Sequence, residues 1–351
     1  MKLLIAGGGT GGHLFPGIAV AQEFLSRNKE NHVLFIGTQK GIECTVLPKF
    51  NLPLKTVWIQ GYKGKSALAK IFTLFMIPIS TLQALIILLQ FKPDVVLGVG
   101  GYASFPAILA AWVLRKKRFI QEQNVTLGMT NRILSYFVHK VFLSFESPKK
   151  YISEKKAIVT GNPVRKFVSK TIKTSDRFIL FILGGSQGAH SINRAMLEAL
   201  PFLTPLKEKI HLIHQTGRAD LRWVENVYTE NHWQVEIYDF IYNMDEVIDR
   251  ADYIICRAGA STVSELTVKG KACLFIPYPH ASHHQEKNAR ALADDSAARL
   301  LLDWKLNGQT LAKEIEWALQ NPRALEVMRK KMLEHAHPYA ATAIVDELLS
   351  I

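Results

Sequence analysis

Twice in this chain an apolar run ends in clustered glycines and passes into a helical pattern. Leu3-Leu4-Ile5-Ala6 leads into Gly7-Gly8-Gly9-Thr10-Gly11-Gly12-His13, and Ile179-Leu180-Phe181-Ile182-Leu183 leads into Gly184-Gly185-Ser186-Gln187-Gly188-Ala189-His190. A strand that is apolar at every position must be covered on both faces, which in practice means a parallel sheet with helices on either side. Each repeat therefore predicts the start of its own α/β unit. Further strands are expected at 32–36, 94–99, 118–122, 140–144 and 157–160. After Gly161-Asn162-Pro163-Val164, a hinge by composition, more follow at 210–214, 235–238, 253–256, 272–276 and 299–302. The remainder, Leu311–Ile351, reads as helices broken at Pro322 and Pro338. The expected class is α/β, two Rossmann-like domains whose parallel sheets face each other across a cleft, with ligands at the carboxyl ends of the strands.

The length of 351 residues suits two such domains, and 48% hydrophobic residues are enough to fill their cores. The formal net charge of +13 favours anionic partners. The charge is spread out, with Arg115-Lys116-Lys117-Arg118 as the longest basic run, which argues against a nucleic-acid domain. Cys44, Cys256 and Cys273 lack metal-binding spacing and suit a reducing compartment. Between Lys70 and Lys92 lie 21 residues without charge, Ile71 to Phe91. That length could cross a bilayer, but Pro78 and several polar residues interrupt it. A half-buried helix with an apolar end resting on a membrane is the expectation, with a transmembrane span as the alternative.

Gly7, Gly9 and Gly12 satisfy the G-x-G-x-x-G pattern, so a dinucleotide-dependent oxidoreductase is the first rival. The second strand should then end in a ribose-binding carboxylate, yet it ends Ile36-Gly37-Thr38-Gln39-Lys40; Lys40 could suit a ribose phosphate, so the rival stays open. More glycine loops at 98–102 and 259–262 favour a phosphate-bearing ligand held by backbone N–H groups and helix N-termini. In Arg257-Ala258-Gly259-Ala260-Ser261-Thr262-Val263-Ser264-Glu265, small residues could receive a diphosphate, and Glu265 could accept from two ribose hydroxyls or merely complement the helix dipole. The absence of D-x-D points to a site without metal or cofactor.

Together, GGGTGGHLFPGIAVA at 7–21, KPDVVLGVGGYASFP at 92–106, EQN at 122–124, GNPVR at 161–165, GGSQGA at 184–189 and RAGASTVSE at 257–265 resemble the MurG family, the bacterial peptidoglycan N-acetylglucosaminyltransferases. The resemblance implies the GT-B fold and transfer of N-acetylglucosamine from UDP-GlcNAc to the 4-hydroxyl of the muramyl sugar of undecaprenyl-linked lipid I. The product is lipid II, formed with inversion. It implies an N-terminal acceptor- and membrane-binding domain at 1–162, a UDP-GlcNAc-binding domain at 163–337, and a terminal helix at about 338–351 returning to the first domain.

By motif, Thr10, Gly11, Gly12, Asn124, Arg165 and Ser186 approach the donor. Ile241 meets the uracil through its backbone. Ala260, Ser261, Thr262, Val263, Ser264 and Glu265 hold phosphate and ribose. His284 stands where the family usually has a glutamine touching the donor sugar, with Gln285 beside it. The implied partners are UDP-GlcNAc, lipid I, an anionic membrane surface and other cell-wall synthesis proteins, at the cytoplasmic face of the inner membrane, with no nucleic acid. The general base is assigned to His13, because His titrates nearest neutral pH, at about 6.5, with Glu122 as its competitor. A diacylglycerol glycosyltransferase, a UDP-GlcNAc epimerase and a non-catalytic membrane-surface scaffold remain as alternatives.

Overall fold

The structure, a computed structural model, describes residues 1–59, 67–164, 176–185, 187–279 and 283–350, and only the backbone of 67–75. In chain order the N-terminal elements are β1 (Lys2–Ala6), α1 (Gly11–Arg27), β2 (His32–Thr38), α2 (Glu43–Val46), β3 (Leu54–Val57), α3 (Ala67–Phe91), β4 (Val95–Gly98), α4 (Ser104–Val113), β5 (Lys117–Glu122), α5 (Met129–Leu134), β6 (Lys140–Leu143) and β7 (Ala157–Val159). Then come β8 (Phe178–Leu183), α6 (His190–Leu203), β9 (Ile210–Gln215), α7 (Leu221–Glu230), β10 (Val235–Tyr238), α8 (Met244–Arg250), β11 (Tyr253–Cys256), α9 (Ala260–Lys269), β12 (Cys273–Phe275), α10 (His284–Ala293), β13 (Arg299–Leu300), α11 (Gly308–Gln320), α12 (Pro322–Glu334) and α13 (Ala340–Leu349).

The chain forms two compact units, Met1–Lys166 with His337–Ile351, and Phe167–Ala336. The first holds a parallel sheet in the order β3-β2-β1-β4-β5-β6-β7. The second holds a parallel sheet in the order β10-β9-β8-β11-β12-β13. The strand order reverses between β1 and β4 in one and between β8 and β11 in the other. In doubly wound sheets this reversal opens a crevice at the carboxyl ends, so both glycine loops emerge at a switch point.

Alternation along each strand explains the two-sided cover. In the first unit Leu3, Ile5, Phe35, Leu97 and Phe119 pack with Leu14, Ile18 and Phe24 of α1 and with Ile344, Val345 and Leu348 of α13. Leu4, Ala6, Ile36, Val96 and Ile120 face the other way, onto Ala84 and Leu88 of α3 and Ala107 and Ile108 of α4. Each fully buried Leu, Ile, Val or Phe among them stabilises the unit by roughly 1.5–3 kcal/mol relative to exposure.

One strand adds to the expected set, and the uncharged segment is helical as expected. The edge strand β3 was not foreseen; only one side of it pairs, and Lys55 and Thr56 keep it partly exposed, so it lacks an apolar run. The uncharged segment forms α3, and among the described residues no helix is long and apolar enough to cross a membrane. Its described half turns Ala84 and Leu88 inward, while Ile79, Leu82, Ile86 and Leu89 are exposed.

Candidate functional site

In the N-terminal unit, Thr10 is the N-cap residue of α1, and His13 is the third residue of the helix, half-buried. The imidazole lies against the loop after β4. A Cβ on Gly100 would come within 2.6 Å of His13 Nδ1, so only glycine allows that approach, and the loop there has φ +89°. Ser104 Oγ holds the same loop, its one proton shared between the carbonyls of Ala6 at 2.6 Å and Gly100 at 2.8 Å. His13 Nδ1 is 3.1 Å from Gln123 Oε1, at the end of β5.

The glycine loop does not present an empty anion cradle. Glu43, fully buried, accepts from Gly9 N–H at 2.7 Å, Thr38 N–H at 2.7 Å and Thr38 Oγ1 at 2.8 Å. Its carboxylate fills the space that a side chain on Gly8, Gly37 or Gly41 would need. A dinucleotide pyrophosphate would have to displace this carboxyl group from the loop's N–H groups, which argues against the oxidoreductase reading.

Glu122, the competing base, is also accounted for. One oxygen accepts from Asn124 N–H at 3.0 Å and Asn124 Nδ2 at 3.1 Å; the other accepts from Gly128 N–H at 2.8 Å and Asn131 Nδ2 at 2.9 Å. Four donors on one buried carboxylate leave it as the anchor of the 122–131 loop. Asn124 is thereby placed on the far side of β5's end through Glu122, whereas Gln123 faces His13.

In the C-terminal unit, α9 begins directly after β11. Its N-cap residue, Gly259, makes no side-chain cap hydrogen bond, so the first turn offers backbone N–H groups and a positive helix end. Ala260 and Val263 are buried, Ser261 and Thr262 are half-buried, and Ser264 Oγ donates to Ala260 O at 2.9 Å. Glu265 is the sixth residue of the helix and only 7% exposed. It lies beyond the first turn, where a carboxylate gains little from the dipole.

Asn288 Nδ2 of α10 donates to Ala258 O at 3.2 Å and ties α10 to the β11–α9 turn. His284 and Gln285 open α10, both half-buried. Gln285 Oε1 accepts from Tyr278 N–H at 3.0 Å, so its NH2 group is what it can offer a ligand. Ile241 is buried in the loop between β10 and α8, and α8 packs against α9. Arg165 and Ser186 lie outside the described residues.

Sequence reasoning missed several residues that build these sites. Arg257, 8% exposed, donates to Ile276 O at 3.0 Å, Asp303 Oδ1 at 2.5 Å and Ser191 Oγ at 2.8 Å. It ties the β11–α9 turn to the end of β12, to the start of α6 and to the segment after β13. Gln215 Nε2 donates to Gly185 O at 2.9 Å and steadies the second glycine loop. Among the described residues no group of three or more His, Cys, Asp or Glu gathers as a metal site.

Comparison with known proteins follows the same division. Residues 3–143 match the glycosyltransferase family 28 N-terminal domain, and residues 179–344 match the family 28 C-terminal domain. A UDP-N-acetylglucosamine–N-acetylmuramyl-(pentapeptide) pyrophosphoryl-undecaprenol N-acetylglucosamine transferase of Geotalea uraniireducens is 46% identical over 356 residues, covering 99% of this chain and 98% of the relative. The crystal structure of Acinetobacter baumannii MurG superposes with a TM-score of 0.77 at 30% identity, covering 100% of this chain and 99% of that one. A Neisseria meningitidis UDP-GlcNAc 2-epimerase bound to UDP-GlcNAc superposes with a TM-score of 0.69 at 16% identity over 100% of both chains, a likeness of fold alone.

Proposed function

The chain belongs to glycosyltransferase family 28, and from that premise we infer that it transfers N-acetylglucosamine from UDP-GlcNAc to the 4-hydroxyl of the muramyl sugar of lipid I, giving lipid II. The reaction is an inverting single displacement. The acceptor oxygen attacks the anomeric carbon, the bond to the UDP oxygen breaks, and the 4-hydroxyl proton passes to a base. His13 is that base. The observation that carries the assignment is its hydrogen bond to Gln123 through Nδ1, which leaves Nε2 as the ring's second nitrogen for the substrate.

The leaving UDP has no need of a metal in this reading. The uncapped N-terminus of α9 supports the developing negative charge, with Ala260 to Ser264 around the diphosphate and Glu265 on the ribose hydroxyls. Ile241 meets the uracil through its backbone. Gln285 donates to the donor sugar with His284 beside it, and Thr10, Gly11, Gly12, Asn124, Arg165 and Ser186 complete the donor contacts. The N-terminal unit receives the acceptor at an anionic membrane surface on the cytoplasmic side. The exposed stripe of α3, Ile79, Leu82, Ile86 and Leu89, supports that role, and so does the net charge of +13.

The test is incubation with UDP-GlcNAc and a soluble lipid I analogue. UDP should appear only when the acceptor is present, and the product should carry a β linkage. Conversion of UDP-GlcNAc to its 2-epimer without acceptor would replace this reading with the epimerase one. Absence of both reactions would leave the binding scaffold.

A further inference from the structure

Two buried glutamines beside His13 form a chain of amides whose directions are set by backbone carbonyls. Gln123 Nε2 lies 2.7 Å from Val99 O, which can only accept. The amide nitrogen must therefore face Val99, and Oε1 must face His13. Gln123 Nε2 also donates to Gln121 Oε1. Gln121 is oriented independently. Ser144 Oγ gives its one proton to Glu122 O at 2.9 Å, so it must accept from Gln121 Nε2 at 3.1 Å. Gln121 Nε2 also donates to Asn162 Oδ1 at 3.1 Å. Asn162 Nδ2 is left buried without a hydrogen-bond partner among the described residues.

We propose that Gln123 is the positioning residue that sets the tautomer of His13. An amide oxygen can only accept, so Nδ1 must carry the ring's proton, and Nε2 must carry the lone pair. Free neutral histidine prefers the opposite tautomer, in which Nε2 is protonated and useless as a base. Gln121, Asn162, Ser144 and the Val99 carbonyl act through Gln123 by holding its amide in one orientation. Gly100, packed on the imidazole, has no side chain, and the loop carboxylates Glu43 and Glu122 are engaged within their own loops. The proposal rests on His13 as the base for its catalytic meaning, but the tautomer can be measured without any turnover.

The experiment is nitrogen NMR on full-length protein carrying 15N-histidine, at a pH where the ring is neutral. The chain has 12 histidines, and the His13 signals are those missing from His13→Gln. The wild-type ring should show a protonated Nδ1 and a bare, pyridine-type Nε2. A protonated Nε2, or an average of the two tautomers, overturns the proposal, and this needs no variant of the buried amides. In Gln123→Met the His13 signals should move towards the Nε2-protonated form. Turnover should then fall by about 10²-fold, part of the usual share of general-base catalysis. The KM for UDP-GlcNAc should stay within about twofold, since donor binding is untouched. Retention of the wild-type tautomer in folded Gln123→Met overturns the assignment to Gln123. Full turnover in His13→Gln, with the wild-type spectrum as expected, overturns the base reading instead.

Discussion

Each unit holds a histidine near the carboxyl edge of its sheet, and each ring is oriented by an amide that a backbone carbonyl has oriented in turn. In the N-terminal unit, Val99 O sets Gln123, which accepts from His13 Nδ1. In the C-terminal unit, Thr216 O accepts from Asn193 Nδ2 at 2.9 Å and Asp220 accepts from the same nitrogen at 2.8 Å, so Asn193 Oδ1 must accept from His214 Nε2 at 3.0 Å. His214 Nδ1 then accepts from Tyr228 Oη at 2.9 Å. His214 has both nitrogens engaged and is fully buried, and burial holds its pKa down to about 3 despite the nearby Asp220 carboxylate. No described residue takes up Nε2 of the half-buried His13. The same device makes a structural neutral ring in one unit and a ring with a lone pair to offer in the other. What differs is whether the second nitrogen is used and whether a substrate can reach it.

Replacing the two histidines should separate chemistry from stability. His13→Ala should cut turnover by about 10²–10⁴-fold with UDP-GlcNAc affinity little changed, the range for a lost general base. His13→Gln keeps a hydrogen-bonding group but cannot take the proton; near-normal turnover in that variant would break the contrast. His214→Ala should behave oppositely. It leaves the Tyr228 hydroxyl and Asn193 Oδ1 buried and unmatched beside a cavity, at a cost of about 2–4 kcal/mol in urea unfolding. The folded fraction should turn over normally, and a stable but inactive His214→Ala would show chemistry where none is expected.

The donor side sharpens the comparison through Glu265. Glu265→Ala removes an acceptor for the ribose hydroxyls and should weaken UDP binding roughly tenfold or more, as for a charge-assisted hydrogen bond of about 1.5–3 kcal/mol. Unchanged affinity by calorimetry, with the fold intact, would return Glu265 to a structural role.

Acidification tests His214 alone. Its folded pKa of about 3 lies below the value of about 6.5 expected in the unfolded chain. The unfolded chain therefore binds a proton that the native state refuses. The stabilisation is complete above about pH 6.5 and is lost as pH falls towards 3, by up to about 1.4 kcal/mol per unit. The stability difference between wild type and His214→Gln should narrow accordingly between pH 7 and 5.5. A constant difference would mean that the ring is not held neutral.

The smallest effect concerns the surface. Leu82 and Leu89 of α3 are 59% and 58% exposed, whereas the large exposed apolar residues of the C-terminal unit, such as Phe202, Trp223 and Trp304, come from separate elements. Leu82→Ser with Leu89→Ser should reduce binding to anionic vesicles by about 1 kcal/mol or more per side chain, sparing activity on a short-chain acceptor. Undiminished vesicle binding would move the membrane contact away from this stripe.

Most strands were legible because a doubly covered strand leaves no polar gaps: Leu3 to Ala6 and Ile179 to Leu183 have no other way to be buried. The passage from β11 into α9 was legible because Gly259 and the small residues after it suit a tight strand-to-helix turn. Gln121 and Gln123 gave only a faint signal. Their spacing of two puts both amides on one face of an extended segment, but nothing local says what they touch. Glu43 gave less still, since it lies 34 residues from the Gly9 amide that it accepts from.

Burial of apolar surface follows period and run length, which are local properties of the chain, so sequence alone determined two parallel α/β units and the glycine turns at their switch points. The roles of the polar groups are not local. Glu43 in the first glycine loop, Glu122 tied to four donors, and the opposite tautomers of His13 and His214 depend on which donors and acceptors the folded chain brings within about 3 Å. A hydrogen bond acts only over that distance and in one direction, so the tertiary structure alone decided which histidine keeps a nitrogen to give.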